Sequence, residues 1–328
     1  MILVTGATGF VGAELVKQLA GQNLAVRCTK RASSVIPSSL APYAHLIEWV
    51  EADITDLTAM EISLEGVTQV YHCAAWVSFR EADKQQMIYT NVTGTANLVN
   101  ICMETGARVV HVSSIAAIGQ AKDDELITEK HFIEETPTEN GYAISKLESE
   151  MEVWRGIAEG LDAVIVNPSI IIGASAGADG SGQIFDKVRQ GLKFYTSGSC
   201  GLVDVADVTK CMIALMNSDI TAERFIINAE NWPYKDLLNY IAAQFGTPSP
   251  KTEAKPWMLS LAWRGAALIS SITGKAPALD KIAAQSASVV QNYDNSKIRK
   301  AIGIEFKPIK ETINEIVAAF KSDAMLSK

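Results

Sequence analysis

No pair of cysteines in this chain stands close enough in sequence to suggest a staple or a metal knuckle. The five, Cys28, Cys73, Cys102, Cys200 and Cys211, are scattered, and none forms a C-x-x-C motif. That spacing argues against a disulfide framework and reads as reduced, partly buried thiols. The four histidines, His45, His72, His111 and His131, show no ligand spacing either, so no metal site is expected. Positive charge is also short, with 29 lysines and arginines against 37 aspartates and glutamates and a net charge of −8. Nucleic acid needs a basic footprint and is disfavoured as a partner, and nothing draws such a chain electrostatically to an anionic membrane. The opening residues, Met1-Ile2-Leu3-Val4-Thr5, lack a basic stretch followed by an apolar run. A secretory signal is therefore not expected, and the cytoplasm is the default location. Internal repeats and low-complexity tracts are missing as well. One strongly apolar stretch, 257–273, carries Arg264 near its middle. A charge there costs about 2.5–3.5 kcal/mol in a bilayer, so no stable membrane insertion is expected. The stretch reads as a helix covering a pocket, with shallow contact to a membrane surface as the other reading.

What is present is a soluble-protein composition, 48% hydrophobic and 20% charged over 328 residues, enough for one large domain or two modest ones. Apolar runs at 2–5, 25–29, 46–51, 69–72, 108–112 and 163–167 are short, and several are rich in valine and isoleucine, as strands buried on both faces are. Helix-period stretches separate them, for example Phe10, Val11, Leu15, Val16 and Leu19 on one face. Strand–helix alternation of this kind implies an α/β fold, a doubly wound parallel sheet. The expected organisation is a nucleotide-binding domain over 1–170, rejoined by segments near 203–229. A smaller, mostly helical substrate-binding cap would use 171–202 and 230–328.

The first strand runs into Thr5-Gly6-Ala7-Thr8-Gly9-Phe10-Val11-Gly12 and then into the first helix. Gly6 permits a tight turn, Gly9 lets backbone N–H groups approach a pyrophosphate, and Gly12 lets the helix lie close on the sheet. The helix N-terminus adds unpaired donors and a favourable dipole. A carboxylate at the end of the second strand would bind the adenosine ribose 2′-hydroxyl. Here that strand ends in Lys30-Arg31 instead. Two cations suit a 2′-phosphate, so NADP is expected as cofactor ahead of NAD.

Tyr142-Ala143-Ile144-Ser145-Lys146 follows a loop-like lead-in at 136–141. The i, i+4 spacing puts phenol and ammonium on one helical face. A neighbouring ammonium, with the charge of an oxidised nicotinamide, would lower the phenol pKa and allow proton exchange near neutral pH. Ser113 and Ser114 end the 108–112 strand, where such sheets bind ligands and where a hydroxyl can orient a reacting oxygen.

Taken together, Thr5 to Gly12, Asp53-Ile54, His72-Cys73-Ala74-Ala75, Asn91-Val92-Thr93-Gly94-Thr95, Ser113 to Gly119, Tyr142 to Lys146, Asn167 to Gly173 and Val203 to Asp207 resemble, in order, the extended short-chain dehydrogenase/reductases of the epimerase/dehydratase superfamily. The look is closest to the dihydroflavonol-reductase and 3β-hydroxysteroid-dehydrogenase branch. That resemblance implies a Rossmann fold, with Ser114 rather than Ser113 as catalytic serine and Tyr142 as general acid/base. It implies that Lys146 holds the nicotinamide ribose and that Asp53 and Ile54 frame the adenine. Ala74 and Ala75 would line the middle of the cofactor, with Asn91 as support and Pro168 and Ser169 near the carboxamide. Sugar-nucleotide members carry an arginine shortly before the segment matching Val203 to Asp207, where it meets the substrate's diphosphate. This chain reads Thr196-Ser197-Gly198-Ser199-Cys200-Gly201-Leu202 there, with no cation. The expectation is a carbonyl reductase, or the reverse dehydrogenase, acting on an apolar small molecule. A nucleotide-sugar epimerase or dehydratase is the alternative. A non-catalytic cofactor sensor is a second, although a sensor would be expected to lack the Tyr/Lys pair. The partner expected is the small substrate, with a homodimer left open.

Overall fold

The computed structural model describes residues 1–122, 125–133, 140–177, 180–255, 257–264 and 288–326. Six strands come first: β1 (Ile2–Thr5), β2 (Val26–Lys30), β3 (Ile47–Glu51), β4 (Gln69–His72), β5 (Arg108–Val112) and β6 (Ala163–Pro168). Helices α1 (Phe10–Gly21), α2 (Leu57–Leu64), α3 (Lys84–Thr105) and α4 (Gly141–Ala158) are threaded among them. The later elements are β7 (Ile170–Ile172), α5 (Gln183–Arg189), β8 (Phe194–Tyr195), β9 (Ser199–Asp204), α6 (Val205–Met216), β10 (Glu223–Ile227), β11 (Glu230–Pro233), α7 (Tyr234–Phe245) and β12 (Thr252–Glu253). Two more helices, Ser296–Ile302 and Ile309–Leu326, close the chain.

The main sheet has seven strands in the order β10-β6-β5-β4-β1-β2-β3, and every pairing is parallel. It is a Rossmann-type sheet, followed by a smaller and largely helical C-terminal region. Its strands read as near-continuous apolar runs because both faces are covered. Leu3 joins one core with Val70, Val109, Leu98 and Val153, while Val4, the next residue, joins the other with Val110, Leu15, Val16 and Leu19. Smaller sheets, β11-β9-β7 and β12-β8, lie outside this one. Strand order reverses at β1, which has β2 on one side and β4 on the other. The chain leaves the two strands β1 and β4 in opposite directions there, which opens a crevice at their carboxyl ends.

The apolar stretch expected at 257–273 is helical over 257–264, where Trp257 and Leu261 are exposed. Residues 265–273, Pro256, Pro277 and the lead-in at 136–139 lie outside the described residues. Among the described residues no helix is long and apolar enough to cross a membrane.

The entry into α1 depends on the absence of side chains. A Cβ at Gly12 would overlap the carbonyl group of Gly6 and stand 3.0 Å from the Cα of Ala7. That carbonyl oxygen already accepts a hydrogen bond from Gly9 N–H at 2.9 Å, so it cannot swing aside. Helix propensity favours alanine over glycine by about 1 kcal/mol. Overpacking against rigid backbone costs about 1–3 kcal/mol or more and should win. Gly12→Ala is therefore expected to lower the urea midpoint at unchanged slope; an equal or higher midpoint would show that the turn relaxes freely.

Candidate active site

The β1–α1 turn forms the floor of a cavity of about 260 Å³. Gly6 sits there at φ +65°, and a Cβ on it would stand 2.7 Å from both N and Cα of Ala74. Gly9 is the N-cap of α1 and makes no side-chain cap, which leaves the first-turn N–H groups directed outward. Of the residues singled out in sequence, Gly6, Thr8, Gly9, Lys30, Arg31, Asp53, Ile54, Ala74 and Ala75 line this cavity. Phe10, Val11 and Gly12 belong to the first turn of α1 and do not line it. Thr29, Ser34, Ala52, Cys73, Trp76, Val77 and Thr90 line it too, and sequence reasoning missed them. Cys73 and Trp76 flank the alanines it did name, so chain adjacency was the available signal.

Asn91 is a buried brace rather than a cavity wall. Its side-chain oxygen accepts from Trp76 N–H at 2.7 Å, while its amide donates to Trp76 O at 2.9 Å and to Ser145 Oγ at 3.1 Å. Pro168 ends β6, and Ser169, buried, donates its backbone N–H to Ile227 O at 3.0 Å. Neither lines the cavity.

Helix α4 begins at Asn140, whose side chain caps Ala143 N–H at 3.0 Å. That start brings Tyr142 and Lys146 to the carboxyl end of β5. The Ser114 side chain meets the Tyr142 phenol, and its Oγ accepts from Ala116 N–H at 3.1 Å, whereas Ser113 donates to Glu150. Lys146 is buried and donates to Val112 O at 3.0 Å. Here the structure departs from expectation: the ammonium reaches the strand-end carbonyl, not the phenol. Burial raises the Tyr142 pKa above its usual value, with the neighbouring Ser114 side chain opposing. Burial also pulls Lys146 down to about 8, against the opposing fields of Cys73 and Glu150.

Two histidines lie close by. His72 is held by Thr5 Oγ1 at 2.7 Å and Thr95 Oγ1 at 3.1 Å, and burial, with the Lys146 charge, lowers it to about 3. His111 is also lowered well below its usual value, by burial first and then by His72 and Lys146. Both are neutral at physiological pH, so their rings add no charge beneath the site. Among the described residues no three His, Cys, Asp or Glu side chains gather to hold a metal. On the open side, Phe79 packs its ring 5.4 Å from that of Tyr142. Phe79 is 55% exposed, leaving apolar surface beside the phenol. Trp232 packs against the core and lies edge-on to Tyr240 at 6.0 Å.

Residues 2–228 match the model of the NAD dependent epimerase/dehydratase family. The chain is 30% identical to the Synechocystis protein named "Putative dihydroflavonol 4-reductase", over 97% of this chain and 94% of that one. It is 28% identical to Sterol demethylase protein B of Methylococcus capsulatus, over 99% of each chain. The solved structure of gox2253 superposes with a TM-score of 0.85 at 26% identity, covering 98% of both chains. Two further structures share the fold and hold NAD. DesIV of Streptomyces venezuelae, a dTDP-glucose 4,6-dehydratase, has a TM-score of 0.80 at 19% identity over 99% of this chain and 98% of that one. The UDP-glucose 4-epimerase of Thermus thermophilus has 0.75 at 20% identity over 98% of each.

These last two overturn the expectation of NADP. The cations that prompted it discriminate weakly for a physical reason. Arg31 is exposed and Lys30 half-buried at the cavity rim, where a solvated charge needs no phosphate partner. Lys30 is also in register with Glu51 of β3, which sets an acidic residue beside it. NADH is accordingly expected to quench intrinsic tryptophan fluorescence saturably, with a Kd that changes less than about threefold, under 1 kcal/mol, when Lys30 and Arg31 are both changed to Ala. A loss of NADH binding in that variant would restore a role for the cations. A second test concerns Lys146. Acetic anhydride labelling of the cofactor-free protein, followed by peptide mass spectrometry across pH, should give this lysine a midpoint near 8. An ordinary lysine midpoint would refute the buried-ammonium geometry.

Proposed function

This chain belongs to the NAD dependent epimerase/dehydratase family, and from that premise we propose that it reduces a carbonyl group of an apolar small molecule with NADH, or oxidises the matching alcohol with NAD. The coarser statement holds without the proposal: it is an enzyme with an NAD(P)-binding Rossmann fold, acting on small organic substrates. The observation that carries the finer one is the meeting of Ser114 and the Tyr142 phenol at the end of β5, where Lys146, one helical turn further along, donates to Val112 O.

The cradle fits a dinucleotide by its bare Gly6 and Gly9 backbone and its uncapped helix start. In this reading Gly6, Thr8 and Gly9, with the backbone N–H groups of Phe10 and Val11 at the start of α1, would hold the pyrophosphate, and Gly12 lets that helix lie close enough to do so. Asp53 and Ile54 frame the adenine, Ala74 and Ala75 line the middle, and Pro168 and Ser169 lie at the carboxamide end. The bound nicotinamide supplies or accepts the hydride. Tyr142 Oη gives a proton to the substrate oxygen in the reducing direction and takes it back in the other. Ser114 Oγ hydrogen-bonds that same oxygen and orients it. Lys146 holds its ammonium against burial and orients the ribose side of the cradle. Asn91 fixes Trp76 and Ser145, so α3, the cavity wall and α4 keep one spacing.

Apolarity of the substrate is supported by the exposed Phe79 beside Tyr142. The stretch 196–202 agrees with this: it enters the buried strand β9 and carries no cation for a diphosphate. The names of two relatives, a flavonoid reductase and a sterol demethylation protein, point the same way. A second reading, a nucleotide-sugar epimerase or dehydratase, is favoured by the family's description and by the fold neighbours that act on such sugars. The same Ser/Tyr/Lys group could begin either reaction.

Two measurements decide between these. NADH oxidation is expected with a hydrophobic ketone or aldehyde, while UDP- and GDP-sugars should neither bind at millimolar concentration nor turn over. Calorimetric binding of a sugar nucleotide, competed by the free nucleoside diphosphate, would instead promote the second reading. Tyr142→Phe should leave NADH affinity nearly intact and lower turnover at least about 10²-fold, the scale of a lost general acid; near-normal turnover would remove the phenol from the mechanism.

A further inference from the structure

The geometry points to Glu150 as a positioning residue: its buried carboxylate fixes the serine-bearing end of β5 and sets the electrostatic field at Lys146. This inference rests on the oxidoreductase reading above, because it assigns Glu150 to the same site. Tyr142, Lys146 and Glu150 stand at i, i+4 and i+8 on α4 and so form one stripe. Glu150 is only 1% exposed. A carboxylate so far from water survives only when its lone pairs are used, and here they are. Oε2 accepts from Ser113 Oγ and from Asn167 Nδ2 at 2.7 Å. Oε1 accepts from Arg224 Nη1 at 3.0 Å and Trp154 Nε1 at 3.2 Å.

Asn167 carries the restraint onward, since its amide also donates to Ser114 O at 3.0 Å. Arg224, itself 5% exposed, donates to Glu129 O and His131 O, and His131 O in turn accepts Gly119 N–H at 3.1 Å. One carboxylate thus ties α4, β5, β6 and β10 to the backbone on both sides of Ser114. Stability alone does not call for this arrangement, because well-packed apolar residues often replace a buried ion pair without loss.

Facing Lys146 are His72 and Cys73 from β4 and its carboxyl end, His111 from β5, and Glu150 from its own helix. Both histidines are neutral, and burial pushes the Cys73 thiol up to about 12. At neutral pH Glu150 is therefore the carboxylate among these groups that holds the ammonium in its charged form against burial. Removing it lowers the lysine pKa, so the ammonium is lost at a lower pH.

The test uses 1-phenyl-1,2-propanedione with NADH as probe reaction, and the anhydride labelling of Lys146 as a readout independent of activity. Glu150→Gln should lower kcat about 10- to 100-fold, the scale of a misplaced reacting group, with KM for the diketone changed less than about twofold. Its labelling midpoint should move to lower pH by at least about half a unit, and the alkaline limb of the rate profile should move with it. Glu150→Asp keeps the charge and should restore the midpoint. Because Glu150→Gln leaves Arg224 unpaired, the double variant Glu150→Gln, Arg224→Gln serves if the single one does not fold, with the same outcomes expected. Wild-type kcat and midpoint in a folded variant would overturn the inference, as would failure of all three variants to fold, which would make Glu150 a folding residue only. Tyr142→Phe run in parallel separates the two readings. Activity that survives it refutes the oxidoreductase site. Activity lost there but unchanged in Glu150→Gln refutes only the role of Glu150.

Discussion

Between β1 and β4 the chain brings two backbones closer than any side chain would allow. Gly6 turns at positive φ with its Cα facing Ala74, and Gly12, in the first turn of α1, lies against the carbonyl of Gly6. This contact sets the distance from sheet to first helix. It aims the uncapped N-terminus of α1 across the cavity and lets the segment 73–77 form the opposite wall. Thr5 reinforces the seam from below, with its hydroxyl shared between His72 Nδ1 and Ala74 N–H at 2.7 and 3.2 Å. Had either glycine carried a Cβ, the two walls would have to separate, and backbone donors could no longer reach a pyrophosphate directly.

The other half of the site is held by buried polar groups rather than by apolar packing. Asn91, Ser145 and Trp76 join α3, α4 and the cavity wall, while Glu150, Asn167 and Arg224 join α4 to the carboxyl ends of β5 and β6. Such groups are directional where apolar contacts are not. A hydrogen bond that is lost in a dry interior leaves a desolvated partner, at about 1–3 kcal/mol, more when charged. A network of this kind specifies one arrangement of Ser114, Tyr142 and Lys146 and rejects near neighbours. It also explains why two adjacent serines of similar burial do different things: Ser114 faces the phenol, whereas Ser113 is consumed by the carboxylate behind it.

Much of the architecture was legible before any coordinates. Val and Ile runs bounded by turn residues marked β1 to β6 within a residue or two of their ends, because a strand buried on both faces tolerates little else. The Gly6-Gly9-Gly12 spacing located the cradle for a steric reason, and the i, i+4 spacing of Tyr142 and Lys146 placed both on one face because helix geometry requires it. Less legible were properties that depend on neighbours distant in sequence. The Lys30-Arg31 pair suggested NADP, but Glu51 reaches its place beside Lys30 only through β2–β3 pairing. Trp232 meets Tyr240 only in the folded chain, where its strand β11 pairs with β9.

The sequence by itself determined the parallel sheet, the bare-backbone turn and the shared helical face of Tyr142 and Lys146, since each follows from local sterics or short-range periodicity. Only the tertiary structure decided what those side chains meet. It sent the Lys146 ammonium to Val112 O, set the phenol against Ser114 and lifted its pKa by burial, and enclosed Glu150 with an arginine 74 residues away. The physical reason is that pKa, hydrogen-bond partner and desolvation are properties of an environment, and that environment is assembled from strands and helices far apart in the chain.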